Sequence, residues 1–537
     1  MTTAARELAA PAVRARAAGP GRPRLVVGLA LGVGLLALAP LVYLAVRATG
    51  AAGETLDLVL RPRTATLLLD TLVMASLVGI GAVAIGLPVG WATARTDLPA
   101  RRLFAVLTIV PLAIPSYVLA FATIAAVGPR GALADLLAPL GVEALPSLYG
   151  LPGAVLVLTI STYPYVALGV RAAVRRLDPA LLEAARLLGD DEGRAFRRVL
   201  LPILLPAVTG GALLAILYAL ADFGSVSLLR YDSLSRAIYV QYRATFDRSL
   251  AAILALLLAG LALSVAWGEA RLRASLPPAV ARARARPFPL VPLGRWRVPA
   301  TILCAAVVGL GVLLPVGVLV AWLLPGLGDG SAAALLPGAV GGTVVIAAGA
   351  AVAALVLAAP VAVAVVRSPG RLAAAIGVAA AGSYALPGIV VALAVVFLAL
   401  GVVPGLYQTV PLLLLALGLR FLPQAVGPLR DGLASLSPRL EESARLLGRT
   451  PAAAFRSVAL PLLRPGAAAG AALVFLSTAK ELPLTLILAP AGVGTLATRV
   501  WSAVGEGLYE RAAPAALLLV AVSFVSLAVL LRQEERS

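Results

Sequence analysis

Two stretches decide how this chain folds: residues 71–95, TLVMASLVGIGAVAIGLPVGWATAR, and residues 343–367, TVVIAAGAAVAALVLAAPVAVAVVR. Each is apolar almost throughout and closes on an arginine, with a proline seven residues before it. A hydrocarbon core about 30 Å thick is crossed by about 20 residues of helix, so each stretch reads as one membrane span. Thr71, Pro88 and Arg95 recur as Thr343, Pro360 and Arg367, each 272 residues later, so one span is a copy of the other.

The same reading carried outward gives spans at 25–46, 72–94, 103–127, 148–170, 204–229 and 250–267. A second set follows at 300–324, 343–366, 372–400, 410–426, 467–489 and 512–531. With 61% hydrophobic and 13% charged residues in 537, and a mean hydropathy of +1.00, a soluble fold has too little polar surface to cover itself. The expected fold is an all-α polytopic membrane protein of about 12 transmembrane helices. Further echoes support a duplication: Pro164, Arg171 and Pro179 match Pro423, Arg430 and Pro438 at 259, and Arg236 and Arg248 match Arg499 and Arg511 at 263. Six spans per copy is an even number, so the repeats are parallel, with a pseudo-twofold axis along the membrane normal and a substrate path at their interface.

Arginines punctuate the spans on one side only. The N-terminal tail, Arg95 to Arg102, Arg171 to Arg198 and Arg271 to Arg297 carry them in the first half, and Arg367, Arg371, Arg430 to Arg464, Arg532 and Arg536 in the second. Those segments, and both termini, are expected in the cytoplasm. The net charge of +19 is therefore a matter of topology and anionic headgroups. It is too dispersed to form a nucleic-acid face, and no nucleic-acid partner is expected. Arg14, Arg16, Arg22 and Arg24 before an apolar run resemble a signal peptide, but the run exceeds the about 7 to 15 residues of such a segment, so a retained first helix is expected. The organisation follows: a basic tail at 1–24, a first repeat at 25–268, an Arg/Pro-rich linker at 269–298 and a second repeat at 299–537.

There is no histidine, and the single cysteine, Cys304, lies in an apolar run. No disulfide framework or thiolate cluster exists, so any metal meets oxygen ligands here or is held by a partner.

The densest signal sits in the inner loop at 171–203, where Glu183-Ala184-Ala185 and Gly189 precede Val199-Leu200-Leu201-Pro202. The loop at 430–463 repeats it as Glu442-Ser443-Ala444, Gly448 and Val458-Ala459-Leu460-Pro461, at a constant 259. Pro179 and Pro438 suit helix starts, and Gly189 and Gly448 suit left-handed helix ends. The product is a short surface helix whose Glu183 or Glu442 can meet a partner's cation. Taken singly, Leu181, Leu182, Ala185 and Leu188 also fit an amphipathic helix resting on headgroups.

The doubled pattern resembles the EAA loop of binding-protein-dependent ABC importer permeases, departing from it only in Ser443 for alanine. The resemblance implies a type I ABC importer permease in the bacterial cytoplasmic (inner) membrane, working with two copies of an ABC ATPase subunit and an extracytoplasmic substrate-binding protein. Glu183, Ala184, Ala185, Gly189, Glu442, Ser443, Ala444 and Gly448 would then couple to the ATPase. This chain is not expected to be an enzyme or to bind a cofactor. A phosphate-cradling loop needs Gly-Lys-Ser/Thr, whereas the only lysine, Lys480, stands between Ala479 and Glu481. ATP and Mg belong to the partner ATPase.

Asp222 and Glu481 stand 259 apart inside apolar spans, with Lys480 beside the second. A charge at mid-bilayer costs about 3 kcal/mol, so these three are candidates for lining the path; alternatively Lys480 and Glu481 offset each other and serve packing. Arg420 is expected to snorkel, and Pro111, Pro115 and Pro387 to kink their spans. The segments Ala221 to Val226, Lys480 to Thr485 and Thr495 to Trp501 resemble iron(III) permeases that work with a ferric-ion-binding protein. That resemblance implies iron(III) as substrate. A fused thiamine permease is the nearest alternative, polyamine and phosphonate importers are further off, and a secondary transporter is the rival from another class.

Overall fold

Long runs of alanine, leucine, valine and glycine leave the backbone no hydrogen-bond competitor except itself, and they fold as helices. Prolines mark many of the starts, where a missing donor costs nothing. A computed structural model describes residues 24–49, 57, 60–128, 131–141, 145–175, 185, 187–189, 191, 194, 196–244, 249–275, 290–326, 336–368 and 370–536. Residues 1–23 of the basic tail, residues 276–289 of the linker, and Pro179, Leu181, Leu182, Glu183 and Ala184 lie outside the described residues.

In the first repeat the main helices are α1 (Arg24–Thr49), α2 (Pro62–Arg95), α3 (Arg101–Leu107), α4 (Ser116–Val127), α5 (Leu151–Arg175), α6 (Leu201–Ala221), α7 (Gly224–Leu228), α8 (Leu234–Ala244) and α9 (Ser249–Ser275). The second contains α10 (Arg297–Val308), α11 (Leu314–Gly326), α12 (Leu336–Arg367), α13 (Arg371–Ala385), α14 (Gly388–Val402), α15 (Val410–Arg420) and α16 (Leu422–Ser435). It continues with α17 (Pro438–Leu446), α18 (Leu460–Ala479), α19 (Pro483–Leu488), α20 (Leu496–Gly505) and α21 (Tyr509–Arg536). Among the described residues, eight helices are individually long and apolar enough to cross a membrane, and three bent pairs bring that to eleven. α21 occupies the place of the last expected span.

The expected kinks are sharper than a kink. The pair around Pro115 bends by 101° and the pair around Pro387 by 110°, and a third break of 56° falls between α15 and α16. The span expected at 204–229 stops at Ala221, and its counterpart at 467–489 stops at Ala479. Both stop at an ionisable residue, Asp222 or Lys480.

Duplication is visible in hydrogen bonds as well as in spacing. Thr71 Oγ1 accepts from the Leu234 N–H at 2.9 Å, and Thr343 Oγ1 accepts from the Leu496 N–H at 2.8 Å. A wider turn of π type precedes α6 at Phe196–Leu200 and α18 at Phe455–Ala459.

The two repeats exchange their first helices. α1 lies on the second repeat, with the Arg47 guanidinium 4.9 Å from the centre of the Phe397 ring and the Tyr43 ring over Gly401. Reciprocally, Gly311 sits on Pro111 and Ile160, and Trp322 stacks on Phe121 at 5.9 Å. The end of the linker is pinned too, as Val291 N–H donates to the Arg95 carbonyl at 2.9 Å and Leu293 N–H to Asp97 Oδ1 at 2.8 Å.

Within the first repeat, α2 and α5 touch backbone to backbone. A Cβ on Gly86 would stand 2.7 Å from the Tyr163 carbonyl oxygen, and one on Gly90 2.7 Å from that of Ala167. Close approach through small residues is how helices associate in lipid. Gly86→Leu should therefore destabilise the purified protein by about 1–3 kcal/mol or more. Gly260→Leu, at an exposed position with open space around it, should leave the thermal midpoint in detergent unchanged.

Candidate functional site

The broken helices end around one cavity of roughly 460 Å³ between the repeats. Ser116 and Tyr117 reach it from the start of α4, Tyr218 and Asp222 from the end of α6, Tyr384 from α13, and Arg420, Gln424, Lys480 and Glu481 from the second repeat. Asp222, Lys480 and Glu481, singled out as path candidates, are thus brought to one place.

The two acids are held differently. Asp222 caps the first turn of α7: its Oδ1 accepts from the Ser225 N–H at 3.0 Å, the Val226 N–H at 3.3 Å and the Ser225 hydroxyl at 2.5 Å. Its Oδ2 accepts from the Ser116 hydroxyl. Every lone pair of importance is engaged, so the carboxylate serves the break in the helix.

Glu481 has no such duty: among the described residues its carboxylate takes no hydrogen bond from the start of α19, which opens on Pro483. Its Oε2 lies 3.5 Å from Arg420 Nε, with the two side chains 10% and 11% exposed. Arg420 Nη1 also donates to the Leu386 carbonyl at 2.6 Å, at the break between α13 and α14. Arg420 therefore turns inward to a partner instead of snorkelling. Lys480, despite its neighbour Glu481, forms no ion pair or hydrogen bond with the described residues.

The inner loops form a second candidate surface. Gly189 and Gly448 adopt φ of +89° and +85°, the left-handed turn expected of them. Beside them Leu187 and Leu188 are 89% and 87% exposed, and Leu446 and Leu447 88% and 83%. Ala185 and Ala444 are buried, while Glu442 and Ser443 face outward. The neighbouring Glu441, which the spacing did not single out, makes a bidentate pair with Arg367, one bond at 2.9 Å, and ties α17 to the end of α12. Position 182, its counterpart in the first repeat, is leucine.

Comparison with known proteins agrees with this architecture. The family model described as binding-protein-dependent transport system inner membrane component matches residues 86–276 and 351–536. The Fe(3+)-transport system permease protein FbpB 2 of Haemophilus influenzae is 30% identical over 496 residues, covering 91% of this chain and 94% of that one. The "Probable molybdenum ABC transporter permease protein" of Haloferax volcanii is 30% identical over 227 residues, 42% of this chain and 80% of its own. The spermidine/putrescine transport system permease protein PotB of Escherichia coli is 30% identical over 217 residues, 38% of this chain and 78% of its own.

The unequal settings of the acids give an unequal expectation. Asn caps a helix about as well as Asp, so Asp222→Asn should change stability by about 1 kcal/mol or less. Glu481→Gln leaves Arg420 buried without its counter-charge, a loss of about 3 kcal/mol. Thermal unfolding of the two purified variants reads the difference, and equal midpoints would show that the Arg420 pair contributes nothing beyond the cap.

Proposed function

The chain belongs to the family of binding-protein-dependent transport system inner membrane components, and from that premise we propose that it is the permease of an iron(III) importer. It is a multi-pass membrane protein of an ABC importer, a transport permease rather than an enzyme. In this reading a binding protein delivers iron(III) from outside, a separate ATPase hydrolyses ATP with Mg, and the cavity between the repeats opens to each side in turn. The inner loops and both termini lie in the cytoplasm.

One observation carries the substrate: the likeness to an Fe(3+)-transport permease runs through nearly the whole of both chains, whereas the molybdenum and polyamine relatives match less than half of this one. The cavity agrees with it chemically. Beside Arg420 and Lys480 its polar lining is carboxylate, phenol, hydroxyl and amide oxygen, with no imidazole in the chain and no thiol among the lining residues, and iron(III) is a hard cation that prefers oxygen.

Coupling is assigned to the inner loops. Each offers an exposed leucine pair beside a left-handed glycine, and such an apolar knob, uncovered by the described residues, suits a groove on an ATPase. Two copies of the loop call for two copies of the ATPase. Glu442 and Ser443 face outward to meet them, while Glu441 holds the second loop to α12. Glu183 and Ala184 are given the same role by their resemblance to the EAA pattern.

The direct test is ATP hydrolysis by the reconstituted complex. Iron-loaded ferric-binding protein should stimulate it and drive iron into proteoliposomes, and a binding protein loaded with thiamine, molybdate or spermidine should not. Stimulation by one of those instead would replace iron by that substrate. A valine at φ near +85° is strained by more than about 1 kcal/mol, so Gly189→Val with Gly448→Val should remove stimulation while the permease still inserts. Orientation is read by cysteine labelling: an impermeant maleimide should miss Ser443→Cys in intact cells, and labelling from outside would invert the topology.

A further inference from the structure

The polar atoms left over in the cavity say in what company the cargo travels. Three residues that border it each keep a buried oxygen with no hydrogen-bond partner among the described residues: Tyr117 Oη, Gln424 Oε1 and Glu481 Oε1. They come from both repeats, from α4, from α16 and from the turn after α18. An unsatisfied buried polar group costs about 1–3 kcal/mol, and three around one cavity would be satisfied by something that accepts lone pairs.

A positive charge is left over as well. The Lys480 ammonium borders the same cavity without an ion pair or hydrogen bond to any described residue. The other charges are engaged: Asp222 by its cap and Ser116, and Glu481 Oε2 with Arg420 as an ion pair, Arg420 Nη1 also donating to the Leu386 carbonyl while its Nε makes no hydrogen bond among the described residues.

We infer that the cavity accepts its cargo as a hard metal cation accompanied by a small oxyanion, the cation on Tyr117, Gln424 and Glu481 and the anion on Lys480. This rests on reading the cavity as the cargo path. A bare cation would satisfy the oxygens but would face the Lys480 ammonium unscreened in a poorly solvated space. A lone oxyanion would satisfy Lys480 and leave the oxygens stranded, and a polyamine would add positive charge to the lysine. Only the pair meets both sets of leftover groups. Among the described residues no three acids, cysteines or histidines gather into a metal cage. A site of one carboxylate, one phenol and one amide is weak, as a site that must release its cargo has to be.

Terbium(III), a hard trivalent cation whose emission is sensitised by nearby tyrosine, is the probe, and sulfate is the soluble oxyanion. The full-length permease in an uncharged maltoside detergent is titrated with terbium in sodium chloride and in sodium sulfate of equal ionic strength. Saturable emission is expected, tighter in sulfate by about tenfold, the worth of one charge-assisted hydrogen bond. Lys480→Met should abolish the sulfate effect and leave binding in chloride no weaker. Tyr117→Phe with Gln424→Leu should weaken terbium by about tenfold in both salts; Gln424→Leu alone serves if the double variant does not elute as a single species. Absence of saturable emission, a sulfate effect that is nil or survives Lys480→Met, or displacement of terbium by spermidine would each overturn the proposal. Neither ATPase nor binding protein is present, so failure here is distinct from failure of iron uptake.

Discussion

A helix that stops inside hydrocarbon strands backbone donors and acceptors where no water reaches them, at several kcal/mol each. This chain stops helices there repeatedly, and the rest of the structure is arranged around covering the loose ends. At the 101° break, the Tyr163 hydroxyl donates to the Thr108 carbonyl at 2.5 Å and Arg171 Nη1 to that of Ala105 at 2.6 Å. At the 110° break Arg420 donates to Leu386. At the end of α6, Asp222 takes the amides of α7. Non-helical backbone at that depth is tolerated only where protein covers it or where it lines a cavity, so breaks and cavity fall together.

The same constraint shows how two copies of one ancestral repeat have diverged. Gly224 in the first copy stands where Pro483 stands in the second. The first leaves an amide to be capped, and a short Asp with the help of Ser116 caps it. The second keeps the corresponding amides of Leu484 and Thr485, but its longer Glu crosses to Arg420 instead of capping them. Ser116 is matched by Gly388, on which the Glu481 carboxylate lies, so even the small residue has changed to make room for the new direction.

The hydrophobic runs, the offsets and the doubled loop were legible because each depends on residues close in sequence. The apolar helices and the left-handed Gly189 and Gly448 follow from local composition and spacing. Depth and partner choice were not local. Proline signalled a bend at Pro115 and Pro387, but its size depends on which side chain receives the freed carbonyl, and Tyr163 and Arg420 lie far along the chain. A run read as continuous from 204 to 229 hid a capped break, since Asp222 is apolar in nothing but its neighbours. A lone arginine near a span end reads as one that snorkels, and Arg420 does not because its carboxylate lies 61 residues away in the sequence. The orphan oxygens of Tyr117 and Gln424 had no signal at all, being defined by what fails to lie near them.

Joining the repeats in one chain has an electrostatic consequence. The first repeat brings one acid to the cavity, Asp222, and the second brings Glu481 with Arg420 and Lys480. Two copies of the first would gather only carboxylates, and two copies of the second would gather an excess of cations; either imbalance in a poorly solvated space is costly. One of each gives equal numbers of acids and bases. The exchanged first helices and the linker end pinned to Arg95 and Asp97 hold that unlike pair together. Fusion therefore does more than fix stoichiometry: it lets each wall carry a charge that its own duplicate could not balance, and so lets the cavity keep an anionic oxygen and a free ammonium side by side.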